Sequence, residues 1–364
     1  MSDPPIGRDD DDYGAYVHVP FCAHKCDYCA FATWTGHEHL IDAYLAAVRR
    51  EIRRAVDEGI PPLTSVFVGG GTPTLLRPDA LAALIEELPT SPLAEVTVEC
   101  NPESLTAAHI EAFRAAGVNR LSVGVQSMVD HVLEALGRRH DRSNAASAVA
   151  LARAGGITNI NLDVIYGAVG ESVEDWRATL DEIVALEPEH ISAYALTVEG
   201  GTPLAADASR HPVDDDQADM YVLAAELLGN AGFEWYEISN WAKPGRQCRH
   251  NQLYWSQGNY RGFGCAAHSH QDGRRWWNVR TPERFVELIE RGAPPEAGSE
   301  VLAADTRRVE GLQLSLRTSR GVPADALSDE DASALEGLVE RVDDRVFLTR
   351  AGRMLANEVA VRLH

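Results

Sequence analysis

Three of the six cysteines, Cys22, Cys26 and Cys29, fall within eight residues in the spacing C-x3-C-x2-C. The first residues, MSDPPIGRDDDD, carry neither the basic patch nor the apolar core of an export signal, so thiols at this density point to metal rather than to disulfides. Three thiolates can hold three irons of a [4Fe-4S] cube and leave the fourth iron without a protein ligand. An open position of that kind is what chemistry on a bound molecule requires. Structural zinc, with His18 or His24 as fourth ligand, is the rival reading of the same spacing. Cys100, Cys248 and Cys265 stand apart and read as packed thiols, outside any cluster.

The elements that must position these residues alternate. Short β-branched runs at 15–19, 65–68, 95–99, 120–125, 160–165 and 190–196 are separated by amphipathic stretches at 39–57, 79–88, 107–116, 129–136, 145–154 and 173–186. Pro78 with Asp79, and Ser172 followed by Glu174 and Asp175, mark helix starts. The pattern predicts a parallel α/β sheet wrapped by helices, and six units suit a partial (β/α)6 barrel as well as an open sheet. Both place ligands at the carboxyl ends of strands, where Cys22, the Gly69–Thr72 turn, Glu99 to Pro102, Gln126 and Gly167 fall.

Beyond about residue 200 the alternation weakens, and Asp214 to Asp216 lead an amphipathic helix toward Asn230. The expected division is a flexible N-terminus at 1–14, the (β/α) domain at 15–235, an α+β extension at 236–300 and a small winged-helix-like domain at 301–364, with a strand at 345–348 and a last helix at 352–361. The acidic run Asp9 to Asp12 reads as a mobile tip.

Acidic residues outnumber basic ones 55 to 33, for a formal charge of −22, which repels a polyphosphate backbone and argues against nucleic acid as a partner. Apolar runs are too short to cross a bilayer, so no transmembrane segment and a cytoplasmic location are expected.

The cysteine spacing resembles the signature of radical S-adenosylmethionine (SAM) proteins. Tyr16-Val-His-Val-Pro-Phe-Cys22, Gly69-Gly-Gly-Thr-Pro-Thr74, Gly124-Val-Gln126 and Asp163-Val-Ile-Tyr-Gly167 extend the likeness to the branch of anaerobic coproporphyrinogen III oxidase and HemW, over roughly residues 15 to 280. The resemblance implies that the open iron chelates SAM and that an electron from the reduced cluster cleaves its sulfonium to a 5′-deoxyadenosyl radical. It also implies that Glu99, Gln126, Arg138 and Asp163 contact SAM, with Tyr16, Tyr28, Gly70, Gly71 and Thr72 at further contact positions.

Within that branch, the oxidase carries a fourth cysteine where this chain has Phe31, and a longer segment ahead of the cluster. Arg249-His-Asn-Gln-Leu-Tyr-Trp255, Gly262-Phe-Gly and Ala267-His-Ser269 resemble HemW elements instead, with Cys265 and Ala266 departing from the usual form of the last. The implied function is a heme chaperone delivering heme to haemoproteins, respiratory ones at the membrane among them; oxygen-independent coproporphyrinogen oxidation is the alternative. His250 is the expected heme contact, beside Tyr254 and Trp255, because a neutral imidazole suits iron. The resemblance leaves open whether SAM is cleaved and whether the protein is a monomer or a dimer.

Overall fold

The structure, a computed structural model, describes residues 12–363. Of the acidic run, Asp9 to Asp11 lie outside the described residues, whereas Asp12 pairs with Arg249 at 3.3 Å.

Six parallel strands lie side by side in chain order: β1 (Tyr13–Val19), β2 (Leu63–Gly70), β3 (Thr90–Cys100), β4 (Arg120–Gln126), β5 (Asn159–Tyr166) and β6 (His190–Ala195). Helices connect them, including Ile41–Asp57, Pro78–Ile85, Ala107–Ala115, Arg142–Ala154 and Val173–Ala185. Parallel neighbours require such crossovers, and each predicted strand and helix is present to within a few residues. Ser172 caps its helix as the sequence signals, exchanging hydrogen bonds with Asp175. The expected α/β architecture with a six-stranded parallel, barrel-like sheet is what the chain adopts, and the sheet has two ends rather than a closed hydrogen-bonded ring.

Register explains how one sheet serves two environments. Ala15, Val17, Val66, Val68, Val96, Val98, Leu121, Val123, Ile160, Leu162 and Ile191 alternate onto the outer face and join the helices in one continuous core. Burying each larger aliphatic side chain there contributes about 1.5–3 kcal/mol. The inner face instead carries Tyr16, Ser65, Thr97, Glu99, Arg120, Ser122, Asn161, Asp163, His190 and Ser192. This polar lumen is the scaffold of the site.

The segment expected to form a different layer extends the same sheet. β7 (Glu234–Glu237) and β8 (Asn240–Ala242) add antiparallel strands beyond β6. On the other edge β9 (Asn259–Phe263) pairs in parallel with β1, and β10 (His268–Gln271), β11 (Arg274–Asn278) and β12 (Glu296–Val301) follow it antiparallel, for twelve strands in all. The helix Arg249–Trp255 lies across the inner face, where a Cβ on Gly14 would meet Leu253 and His250.

The C-terminal region builds its own core of Leu312, Leu316, Val322, Leu335, Val346, Leu348 and Val359. There the helix Ala304–Leu316 and shorter helices pack with β13 (Val322–Pro323), β14 (Val339–Val342) and β15 (Arg345–Leu348), a small antiparallel sheet of winged-helix-like form. The expected last helix is two, Arg350–Met354 and Ala356–Arg362, separated at Leu355. No helix among the described residues is long and apolar enough to cross a membrane.

Candidate functional site

The cysteine loop leaves β1 at Val19 and is fixed at its stem by hydrogen bonds from Cys22 N–H to the Trp34 carbonyl (3.0 Å) and from Trp34 N–H to that of Pro20 (2.8 Å). The turn after β2 is laced against it: Gly71 N–H donates to Val19 O (2.7 Å) and Thr72 N–H to Phe21 O (2.8 Å). Gly70 has φ +112°, a conformation that side chains rarely adopt, and a Cβ on Gly71 would lie 2.5 Å from Phe21 O and 3.0 Å from Cys22 Sγ. The glycine turn predicted from the sequence is therefore a close approach to the cysteine loop as much as a bend.

Cys22, Cys26 and Cys29 line one cavity of about 590 Å³ at the carboxyl ends of the parallel strands. Tyr28, Gly70, Gly71, Thr72, Glu99, Gln126, Arg138 and Asp163 line it too, so the structure brings together the expected cluster ligands and all but one of the expected SAM contacts. Tyr16 is the exception. It lines a neighbouring cavity, its hydroxyl 3.0 Å from His18 Nδ1.

A chain of polar contacts runs around the mouth. Thr72 Oγ1 lies 3.8 Å from Cys22 Sγ and accepts from Asn101 Nδ2 at 3.2 Å. Arg138 Nη2 donates to Asn101 Oδ1 (3.0 Å) and to Gly124 O (2.9 Å), while its Nη1 reaches Cys26 Sγ at 3.5 Å. Asn101 belongs to the Glu99 to Pro102 segment expected at a strand end, though not among the expected SAM contacts. Ser122 and Tyr194, which also face the cavity, have no local signal beyond strand alternation.

Glu99 and Asp163 form the acidic floor. Burial lifts the Glu99 carboxyl to about 7, against the Gly70 N–H that it accepts at 2.9 Å and with the help of Asp163. Asp163 is likewise raised by burial, against hydrogen bonds from Ser122 and Asn161. Gln126 ends β4 at a bulge with φ +66°, a strained conformation for a side-chain-bearing residue that costs on the order of 1 kcal/mol and turns the amide into the cavity. Carboxylates at the floor and a guanidinium at the rim suit a zwitterionic, cationic ligand with a carboxylate of its own.

Burial raises the Cys22 and Cys29 thiols above the usual thiol range. Among the described residues no group of three His, Cys, Asp or Glu side chains is placed to hold a metal ion. Both ring nitrogens of His18 are engaged, by Tyr16 and by Ala32 O, so it supplies no fourth ligand; His24 does line the cavity. Cys100 reaches the same cavity from the end of β3, whereas Cys248 and Cys265 are buried elsewhere.

His250 lies under the site, 1% exposed, with Nδ1 3.0 Å from Ser65 Oγ and Nε2 2.8 Å from the Tyr254 hydroxyl, its ring stacked on Phe67. The structure places it in the packed lumen, with neither nitrogen turned to a cavity. Burial, with the Arg120 charge nearby, holds this imidazole down at about 3. The unfolded chain therefore takes up a proton near pH 6.5 that the folded chain refuses. The resulting stability is whole above about pH 6.5 and is lost as pH falls toward about 3, at up to about 1.4 kcal/mol per pH unit. Urea midpoints at about pH 7.5 and about pH 5.5 should fall more for the native chain than for His250→Gln; equal falls would refute this account.

Comparison with known proteins places this geometry. Residues 16–183 match the model of the radical SAM superfamily. Heme chaperone HemW of Mycobacterium tuberculosis is 41% identical over 95% of this chain and 93% of its own, and that of Bacillus subtilis 34% identical over 95% and 97%. Escherichia coli K12 HemW is 32% identical over 94% and 96%. Among solved structures, coproporphyrinogen III oxidase (HemN) from Escherichia coli superimposes with a TM-score of 0.85 over 97% of this chain and 90% of that one, at 22% identity, a likeness of fold. With a cysteine-lined radical SAM cavity and whole-length identity above 30% to several relatives, the chain belongs to the HemW family of radical SAM proteins.

Proposed function

We propose that this protein is a heme chaperone, binding heme and passing it to haemoprotein acceptors, membrane-associated ones included, from a cytoplasmic location. The carrying observation is the extent of the likeness. Relatives called heme chaperone HemW match through the barrel and through the β9–β12 extension alike, over 93–97% of their own length in the three cases above. The oxidase alternative rests on shared fold, and the side chain at position 31, where the oxidase resemblance calls for a further cysteine, is the exposed Phe31.

Cys22, Cys26 and Cys29 would hold the [4Fe-4S] cluster. When bound, the cluster supplies an open iron position and an electron for SAM. The chain's own part is to seat that ligand. Arg138 offers a charged fork at the rim, Glu99 and Asp163 offset positive charge at the floor, and the Gly70–Thr72 turn, its amides tied to Glu99, Val19 and Phe21, forms a close wall beside Cys22. Tyr28 and Gln126 close the walls.

Full-length protein, reconstituted anaerobically with iron and sulfide and titrated with heme, is expected to develop a saturable Soret band. Absence of a band would overturn the chaperone reading. Release of CO2 from coproporphyrinogen III, in the presence of SAM and a reductant, would replace it with the oxidase.

A further inference from the structure

We infer that heme sits in the aromatic cavity on the inner face of β9–β12, with His268 as the residue that ligates its iron. This rests on the chaperone reading and adds to it a place and a ligand.

The cavity has a volume of about 650 Å³, in the range of small-molecule sites. Strand register builds it. His268 pairs with Trp277 and His270 with both Arg275 and Tyr260, so these side chains project from one face of the extension, and Tyr16 reaches the same space from β1. The walls are rings. Tyr254 meets Tyr260 edge to face at 4.6 Å, and His268 lies over Trp277 at 5.8 Å with the planes 27° apart. Gly298, opposite Trp277 on β12, makes room for that indole, because a Cβ there would come within 2.7 Å of it. A flat apolar macrocycle is the ligand that such walls stack against.

Three histidines line this space and a fourth, His250, lies behind Tyr254; hydrogen bonding distinguishes them. His18 is held by Tyr16 and Ala32 O, His250 by Ser65 and Tyr254, and His270 by Gly258 O and the Gly273 N–H. The ring nitrogens of His268 have no hydrogen-bond partner among the described residues, and the side chain is exposed to the cavity. A neutral imidazole on the wall of an aromatic cleft is the arrangement that iron requires. Partial burial favours the neutral form of His268. Arg275 is already shared between Glu300 and Glu310, so the site recognises heme through stacking and ligation rather than through its carboxylates.

His250 acquires a different part: it holds the Tyr254 hydroxyl, and Tyr254 is the member of that helix that reaches the cavity. Phe31 borders this cavity and the cysteine-lined one, which sets the heme seat directly beside the cluster loop.

The test is a titration of reconstituted full-length protein with ferric heme, followed by optical and electron paramagnetic resonance spectroscopy. The native chain should show an imidazole-ligated spectrum. His268→Ala should shift the Soret band and weaken binding by about tenfold or more, and added imidazole should restore the native spectrum. His250→Gln should keep the band at the native wavelength, because the ligand is unchanged, while binding loosens through Tyr254. Gly298→Val, which pushes Trp277 into the cavity, should weaken binding with no change of ligand signature. If the native chain fails to bind heme, the chaperone reading itself falls. If the native chain binds and His268→Ala binds equally with an unshifted band, or if loss of the imidazole signature follows His250→Gln in a folded protein, the His268 assignment is overturned while the chaperone reading stands.

Discussion

Replacing Cys26 by alanine is expected to leave a folded protein that retains almost none of its iron after anaerobic reconstitution, against about four irons per chain in the native protein. In the proposed cluster each thiolate of the loop would hold a separate iron, so removing one would leave two anchors and a second exposed iron, too few to hold the cube. The fold should survive, because Cys26 belongs to no part of the apolar core and its contact with Arg138 Nη1 is long, at 3.5 Å. The apo forms should differ by within about 0.5 kcal/mol, the usual range for a substitution away from the core. Cys100→Ala is the discriminating comparison. Cys100 reaches the same cavity from β3 yet lies outside the loop, so this variant should keep its iron and sulfide. Iron and acid-labile sulfide analysis checks both variants. Zinc in place of iron in the native protein, or equal iron loss in both variants, would end the three-thiolate assignment.

Much of this site was legible because its determinants are local. The C-x3-C-x2-C spacing, the glycine turn and Glu99 each follow a β-branched run, and the rule that ligands gather at carboxyl ends of parallel strands then brings them together without long-range information. What sequence could not show is set by pairing across great separation. Nothing near Asn259 announces a parallel partner at Tyr13, so β9 to β12 were expected as a separate layer although they continue the central sheet. Arg120 opens its strand like a surface charge, yet it is 1% exposed, with Glu95 of β3 and Cys248, at the start of the helix Arg249–Trp255, among the groups that act on its charge. His250 was expected as a heme contact because a neutral imidazole suits iron and the Arg249–Trp255 segment resembles a HemW element. The structure sets it in the lumen, hydrogen-bonded to Ser65 and Tyr254. Tyr16 alternates with Val17 correctly, but the strand that joins β1 on its other edge carries Tyr16 into the second cavity.

Gly71→Ala should be the most damaging single-methyl change in the cluster region, and the reason lies in which atoms it meets. The new Cβ would stand 2.5 Å from Phe21 O and 2.8 Å from Val19 O, both backbone atoms. Those oxygens cannot retreat, because they accept the hydrogen bonds from Thr72 N–H and Gly71 N–H that lace the turn to the cysteine loop. Relief requires breaking those bonds or displacing Cys22, whose sulfur would lie 3.0 Å from the added carbon. Overpacking of this kind costs about 1–3 kcal/mol, and each lost hydrogen bond about 1 kcal/mol more, so a loss of roughly 3 kcal/mol is expected, with the cluster content falling in parallel. Gly229→Ala supplies the opposite expectation. Gly229 lies exposed near the end of the helix Asp214–Asn230, with ordinary helical backbone and no atom within 4 Å of a new Cβ, so the change should stabilise by about 0.5–1 kcal/mol. Chemical denaturation of the two variants, paired with iron analysis, separates a general intolerance of glycine replacement from a requirement at the cluster loop. Native iron content in Gly71→Ala, or equal destabilisation by both changes, would show that the close approach of the two loops does not hold the cysteines in place.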